Sequence, residues 1–160
     1  MSHILFSHSY FLSFDKKQWE AQQPFPPLMT ITAASLMRGG GHTVDLFDSM
    51  LAEGPHQVEA YLAEAQPSYF VVFDDGFNYL TKMCLTRMRH AAFDMAQRAR
   101  QHGATVIVCS SDSTDHYDQY LQNGADYVIL GEGEMTLKAL IDNLNSAAPQ
   151  PGDIAGLAFY

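Results

Sequence analysis

Short apolar runs rich in β-branched and aromatic residues alternate with longer helix-period stretches along this chain, and that alternation admits few folds. The strand-like runs are His3–Ser7, Thr43–Asp48, Tyr69–Asp74, Thr105–Cys109 and Tyr127–Leu130. Between them lie helical stretches at Leu28–Arg38, His56–Ala65, Lys82–His102, Thr114–Gln122 and Met135–Asn145. In the longest, Leu85, Met88, Ala92, Met95 and Ala99 recur three or four apart, which makes one buried helical face. Gly39-Gly40-Gly41, Gly103 and Gly124 stand where helices should stop before the next strand.

Five strands alternating with five helices predict a parallel sheet with helices on both faces. Phe70–Phe73 and Val106–Val108 are apolar throughout, as central strands covered on both sides must be. At 160 residues the expected class is α/β, a flavodoxin-like doubly wound five-stranded sheet with strand order 2-1-3-4-5.

Charge narrows the partners. Nine basic against eighteen acidic side chains give a net charge of −9, which excludes a phosphate backbone as the main ligand. Arg87 and Arg89, the nearest approach to a basic cluster, read as a solvated helix face. No run of apolar residues approaches the ~18 of a membrane span, and "MSHILFSHSY" has no basic start or apolar signal core, so the cytoplasm is expected. Cys84 and Cys109 are too far apart for a metal motif and read as reduced, buried thiols.

Two regions exceed a minimal sheet. Residues 8–27, "HSYFLSFDKKQWEAQQPFPP", form a long aromatic insertion after the first strand, of a length that is usually functional or disordered; the aromatics favour function. Residues 149–160, "PQPGDIAGLAFY", follow a proline-rich hinge and read as the start of a further C-terminal domain, leaving 1–148 as the domain proper. Ile154–Tyr160 is then expected to be poorly anchored.

In a doubly wound sheet ligands bind beyond the carboxyl ends of the strands. Those ends are Ser7-His8-Ser9, Asp74-Asp75, Ser110-Ser111 and Gly131-Glu132-Gly133-Glu134, a polar and acidic rim. Gly131 and Gly133 permit torsions closed to other residues and let a ligand approach the backbone. Glu134 and Thr136 lie in the next helix's first turn, where an acid suits the dipole and a hydroxyl can cap amides. The turn is either a well-capped connection or half of a ligand cradle. Two acids disfavour a phosphate, so a ligand should offer amide or hydroxyl donors. If it is a cradle, Gly133→Val should lose the ligand while the fold survives. The histidines outside the rim read as turn or helix residues, and His116 beside Asp112 and Asp115 as part of a capping cluster.

Three segments carry a resemblance: "PFPPLMTITAASLMRGGGHTVDLFD", "GADYVILGEGEMTLKALIDNL" and the terminal "DIAGLAFY", with "FNYLTKMCLTRMR" closer to one branch. Together they resemble the N-terminal cobalamin-binding domain of cobalamin-dependent radical SAM (S-adenosylmethionine) enzymes, the family of anaerobic magnesium-protoporphyrin ester cyclases and many methylases. The resemblance implies a domain holding the dimethylbenzimidazole tail of cobalamin (vitamin B12) between strand ends, with the corrin above. By position it implies cofactor-binding roles for Ser7, His8, Ser9, Asp74, Asp75, Ser110, Ser111, Gly131, Glu132, Gly133, Glu134 and Thr136. Ser110-Ser111 stands where such domains often carry Gly-Gly, which narrows the slot. Methyl carriers use Asp-x-His-x-x-Gly to ligate cobalt, and here Phe6, His8 and Phe11 occupy those places. No acceptor adjacent in sequence fixes the His8 tautomer, so cobalt ligation by His8 is not expected.

An iron–sulfur cluster and S-adenosylmethionine would belong to a radical SAM domain outside this chain, because Cys-x-x-x-Cys-x-x-Cys is absent from it. Catalysis is therefore not expected from these residues alone. The rival reading is a cofactor-free domain that serves as an assembly surface. A receiver-like phosphoacceptor domain fails because the first strand lacks an acidic pair and the fifth lacks a lysine. A flavin protein fails because no phosphate-cradling loop follows the first strand.

Overall fold

The computed structural model describes residues 1–74 and 84–160. Its sheet runs in the order β2-β1-β3-β4-β5-β6. The strands are β1 His3–Ser7, β2 Thr43–Phe47, β3 Tyr69–Phe73, β4 Thr105–Cys109, β5 Tyr127–Ile129 and β6 Leu157–Ala158. The first five are parallel in the expected order. The sheet has six strands rather than five, because the tail returns antiparallel along β5, pairing Val128 with Ala158 and Ile129 with Leu157. A strand of two residues carries no readable alternation. The tail is accordingly held, with Ile154 and Leu157 packed on the core, where a loose end was expected.

Alternation along the strands sorts the core into two layers. Leu5, Val72, Val106 and Val128 face α3 (Val58–Ala65) and α4 (Leu85–Gln101), whose buried stripe is Ala92, Met95 and Ala99. Ile4, Phe6, Val71, Ile107 and Ile129 face α2 (Leu28–Gly39) and α7 (Glu134–Leu144) through Met37, Leu137 and Ile141. Lys82 and Met83, at the start of the helix expected over Lys82–His102, lie outside the described residues. The helix expected over Thr114–Gln122 is two short ones, α5 Ser111–Asp115 and α6 Tyr117–Gln122, broken where His116 leaves helical torsions.

The aromatic insertion is folded onto the rest of the domain. After a 3-10 turn at Leu12–Phe14 comes α1, Lys16–Ala21, started by the Asp15 carboxylate accepting from Gln18 N–H. Tyr10 and Leu12 are buried against Met50, Cys84 and Met88, with Phe25 over them, while Phe11 joins the α3/α4 layer. Trp19 is half exposed. Among the described residues no helix is long and apolar enough to cross a membrane.

Candidate functional site

Parallel strands deliver the loops after β1, β3, β4 and β5 to one rim of the sheet. The rim holds an open cleft of about 470 Å3 over the ends of β3, β4 and β5. Its floor is apolar, made by Phe73 and Cys109 with Met29 from α2 on one side. Asp74, Ser110, Ser111, Thr114 and Asp115 supply polar walls, and Gly131-Glu132-Gly133 closes the far side. A larger groove of about 720 Å3 runs beside β2 between Leu51, Ala60 and Tyr61. It lies away from the ends of β3, β4 and β5, so the smaller cleft is the better candidate.

At the end of β1 the polar side chains are already engaged. Ser7 is buried and its hydroxyl lies 3.0 Å from that of Ser49. His8 is buried and its Nε2 donates to Asp48 Oδ1 at 2.9 Å, an acceptor delivered by the end of β2 rather than by the neighbouring sequence. Its Nδ1 is buried without a hydrogen-bond partner among the described residues, and His8 does not line the cleft. Ser9 donates to Asp74 from both its N–H, at 2.6 Å to Oδ1, and its hydroxyl, at 2.7 Å to Oδ2. That pair closes the crevice between β1 and β3, where the strand order reverses.

Asp74 therefore faces the cleft while serving as a brace. Burial pushes its carboxyl above the usual aspartate range, and the Ser9 donors offset only part of that rise. Asp75 lies outside the described residues.

Ser110 caps α5. Its hydroxyl accepts from Ser113 N–H at 2.8 Å, and its own N–H donates to the Ser113 hydroxyl at 2.9 Å. Ser111, by contrast, is exposed on the cleft wall. Beneath them Asp112 accepts a two-pronged bond from Arg89, at 2.7 Å on each oxygen, and a third from Tyr120 Oη at 2.8 Å. Burial alone would raise the Asp112 carboxyl, but these donors hold it below its ordinary value. The expectation of a solvated Arg89 is thus corrected. Its acceptor sits twenty-three residues away, beyond the reach of helical periodicity. His116 Nε2 lies 3.9 Å from Asp112 at the junction of α5 and α6.

The two glycines of the far wall differ in kind. Gly131 has φ +82°, and a side chain built there would meet open space. Its N–H donates to Thr114 Oγ1 at 3.1 Å, which ties the wall to α5. Gly133 has an ordinary φ of −110°, but a Cβ there would stand 2.3 Å from Cys109 Sγ and 3.1 Å from the Phe73 ring. The expectation that Gly133→Val spares the fold is therefore corrected: this glycine is required by close packing. Burial first, then Glu134 and Asp74, push the Cys109 thiol up to about 12, so it is an inert floor residue. Glu134 and Thr136 sit in the first turn of α7 and do not line the cleft.

Sequence reasoning missed Met29, Phe73, Cys109, Thr114 and Asp115 as lining residues. For the last two the signal was their place one turn past the Ser110 cap. Among the described residues no group of three or more His, Cys, Asp or Glu side chains is placed to hold a metal ion.

No protein-family model and no curated protein matches the chain. Solved structures do match. The cobalamin-dependent S-adenosylmethionine radical enzyme OxsB, with aqua-cobalamin and S-adenosylmethionine bound, aligns at TM-score 0.69 and 18% identity over 99% of this chain. The radical S-adenosylmethionine methyltransferase TsrM from Kitasatospora setae, with cobalamin and a [4Fe-4S] cluster bound, aligns at TM-score 0.73 and 16% identity over 98% of this chain. The chain spans only 21% of OxsB and 29% of TsrM. It has the fold of one segment of these larger cobalamin-dependent enzymes.

Proposed function

We propose that this chain is a cobalamin-binding module and that the β3–β5 cleft receives the dimethylbenzimidazole end of the cofactor's tail, leaving its phosphate outside the acidic wall. The observation that carries the reading is the cleft itself, an apolar floor of Phe73 and Cys109 under a wall whose Gly131 leaves open space. About 470 Å3 is within the ~300–1,000 Å3 usual for small-molecule sites. A flat apolar ring suits that floor, and ribose hydroxyls or amide N–H groups suit Asp74, Asp115 and Glu132. Cobalamin bears both kinds of group, and the fold shared with OxsB and TsrM supports the choice.

In this reading Ser111, Gly131 and Glu132 contact the ligand directly, and Gly133 by its backbone. Ser110 shapes the wall through α5, and Ser9 acts by holding Asp74. Ser7 and His8 support the rim from below, and Glu134 and Thr136 support the wall through α7. His8 does not ligate cobalt, since Asp48 occupies Nε2 and Nδ1 is buried. Bound cobalamin supplies a cobalt centre for methyl transfer or ring-forming radical chemistry. The partner is a C-terminal radical SAM domain carrying the iron–sulfur cluster and S-adenosylmethionine; the sheet, with β6 from the tail included, holds the cofactor and catalysis lies elsewhere.

The test is direct. Purified protein is mixed with hydroxocobalamin, desalted and read by absorbance under oxidising and reducing conditions. Near-stoichiometric corrin absorbance in the protein fraction is expected. Its absence under both conditions would leave the cofactor-free assembly domain as the better account.

A further inference from the structure

Strand β6 is the shortest in the sheet, yet it touches the residue from which the cleft wall starts. Leu130 follows β5 directly and precedes Gly131, and its N–H donates to Gly156 O at 2.8 Å. Gly156 has φ +80°, and a Cβ there would meet Leu130 O at 3.4 Å and Thr136 Oγ1 at 3.9 Å. The tail thus lies against both the entry to the wall and the first turn of α7 beyond it. Leu157 and Ile154 pack on the cluster that holds Phe73, Cys109 and Leu137, the layer on which Gly133 rests. From the opposite side Thr114 accepts from Gly131 N–H. The wall is held between α5 and β6.

We infer that β6 is a clamp that sets the geometry of the Gly131–Gly133 wall, so that docking of the tail controls ligand retention in the cleft. The second half rests on the cobalamin reading; the first does not. Only two residue pairs join β6 to β5, on an outer edge of the sheet. Such a strand can leave without unfolding the centre, because local openings follow local contacts. Its loss frees Leu130 N–H from its acceptor and withdraws Gly156 from Thr136. Gly131, at a torsion few residues share, is then held among the described residues by Thr114 at its N–H and by the long contact of Cys109 Sγ with its carbonyl.

The experiment uses the full chain and two readouts. Gly156→Val places a branched side chain at a left-handed torsion against Leu130 O, and Leu157→Ser weakens the packing of β6 by a different route. Gly156→Asn tolerates the torsion and serves as the conservative rescue. Gly152→Val, in open space on the same tail, is the control. Both disruptive variants are expected to speed amide exchange at Gly131–Gly133 by about tenfold or more, with Val106–Val108 unchanged. They should weaken hydroxocobalamin binding by about tenfold. Gly156→Asn and Gly152→Val should stay near the parent in both. Unchanged exchange at the wall in both disruptive variants overturns the clamp. Faster exchange with parental cobalamin affinity overturns its control of retention. If the parent itself retains no cobalamin, the cofactor reading falls, and wall exchange alone decides whether β6 is a clamp.

Discussion

The end of β1 and the ends of β4 and β5 are about equally polar in sequence and opposite in use. Ser7, His8 and Ser9 spend their polar groups on Ser49, Asp48 and Asp74, and none of them lines the cleft. Around Ser110 and Gly131 the structural bonds are met by caps and a single threonine, which leaves Ser111, Glu132 and the open face of Gly131 on the cleft. The difference teaches that a polar strand end is a candidate site only after its structural bonds are subtracted. A buried donor that loses its acceptor costs on the order of 1–3 kcal/mol, so the fold's claims on polar groups are met first.

The sharpest way to break this comparison is within the far wall itself. Gly133→Val should lose about 3 kcal/mol of stability in chemical denaturation, because its side chain would overlap Cys109 Sγ and the Phe73 ring. Gly131→Asn should lose about 1 kcal/mol or less, since asparagine tolerates the left-handed torsion and the space is open. Only the second should weaken cobalamin binding at near-parental stability. Equal stability of the two variants would mean that the close packing at Gly133 has been misjudged.

A second contrast separates two carboxylates by the sign of their pH response. Burial raises the Asp74 carboxyl above 3.8, so the folded state binds this proton more tightly than the unfolded chain. Its contribution is fully present below the unfolded value and lost as pH climbs through the folded one. Asp112 is burdened by burial too, but its Arg89 and Tyr120 bonds win and lower it. Its contribution is present above 3.8 and lost as pH falls through the lowered folded value. Asp74→Asn keeps a partner for each Ser9 group, and its melting temperature relative to the parent should rise from about pH 4 to about pH 7. Melting curves showing the difference flat or falling would place the Asp74 charge at no cost to the fold.

How much of this was legible follows from the range of each interaction. Element order could be read because periods of two and 3.6 residues are local. The polar rim could be read because parallel strands all end on one side. The closing of the β1–β3 crevice could not: Ser9 and Asp74 are sixty-five residues apart, and neither type announces the other. No neighbour of His8 in sequence fixes its ring, and the acceptor arrives from Asp48, forty residues on. Gly133 resembles Gly131 in sequence, and only three-dimensional placement, the backbone torsion of one and the closeness of Cys109 Sγ and the Phe73 ring to the other, separates a torsional glycine from a packed one.

Smaller effects sharpen the same division. Ser111→Phe, on an exposed side chain that makes no hydrogen bond among the described residues, should alter stability by no more than ~0.5 kcal/mol. It should still weaken cobalamin binding by about tenfold, read by titration of the corrin absorbance. At the other end, His8→Asn should leave the absorbance spectrum of bound cobalamin unchanged, since no ring nitrogen of His8 faces the cleft. A change from a nitrogen-ligated to a water-ligated spectrum would assign His8 to the metal after all.

The most direct test of the division is an amide-exchange footprint of the parent chain with and without saturating hydroxocobalamin. Slowed exchange at Ser111–Thr114 and Gly131–Gly133, with Ser7–Ser9 unaltered, is the result predicted for a ligand seated over β3–β5. Protection confined to Ser7–Ser9, or appearing instead along Leu51–Tyr61 beside β2, would contradict the account.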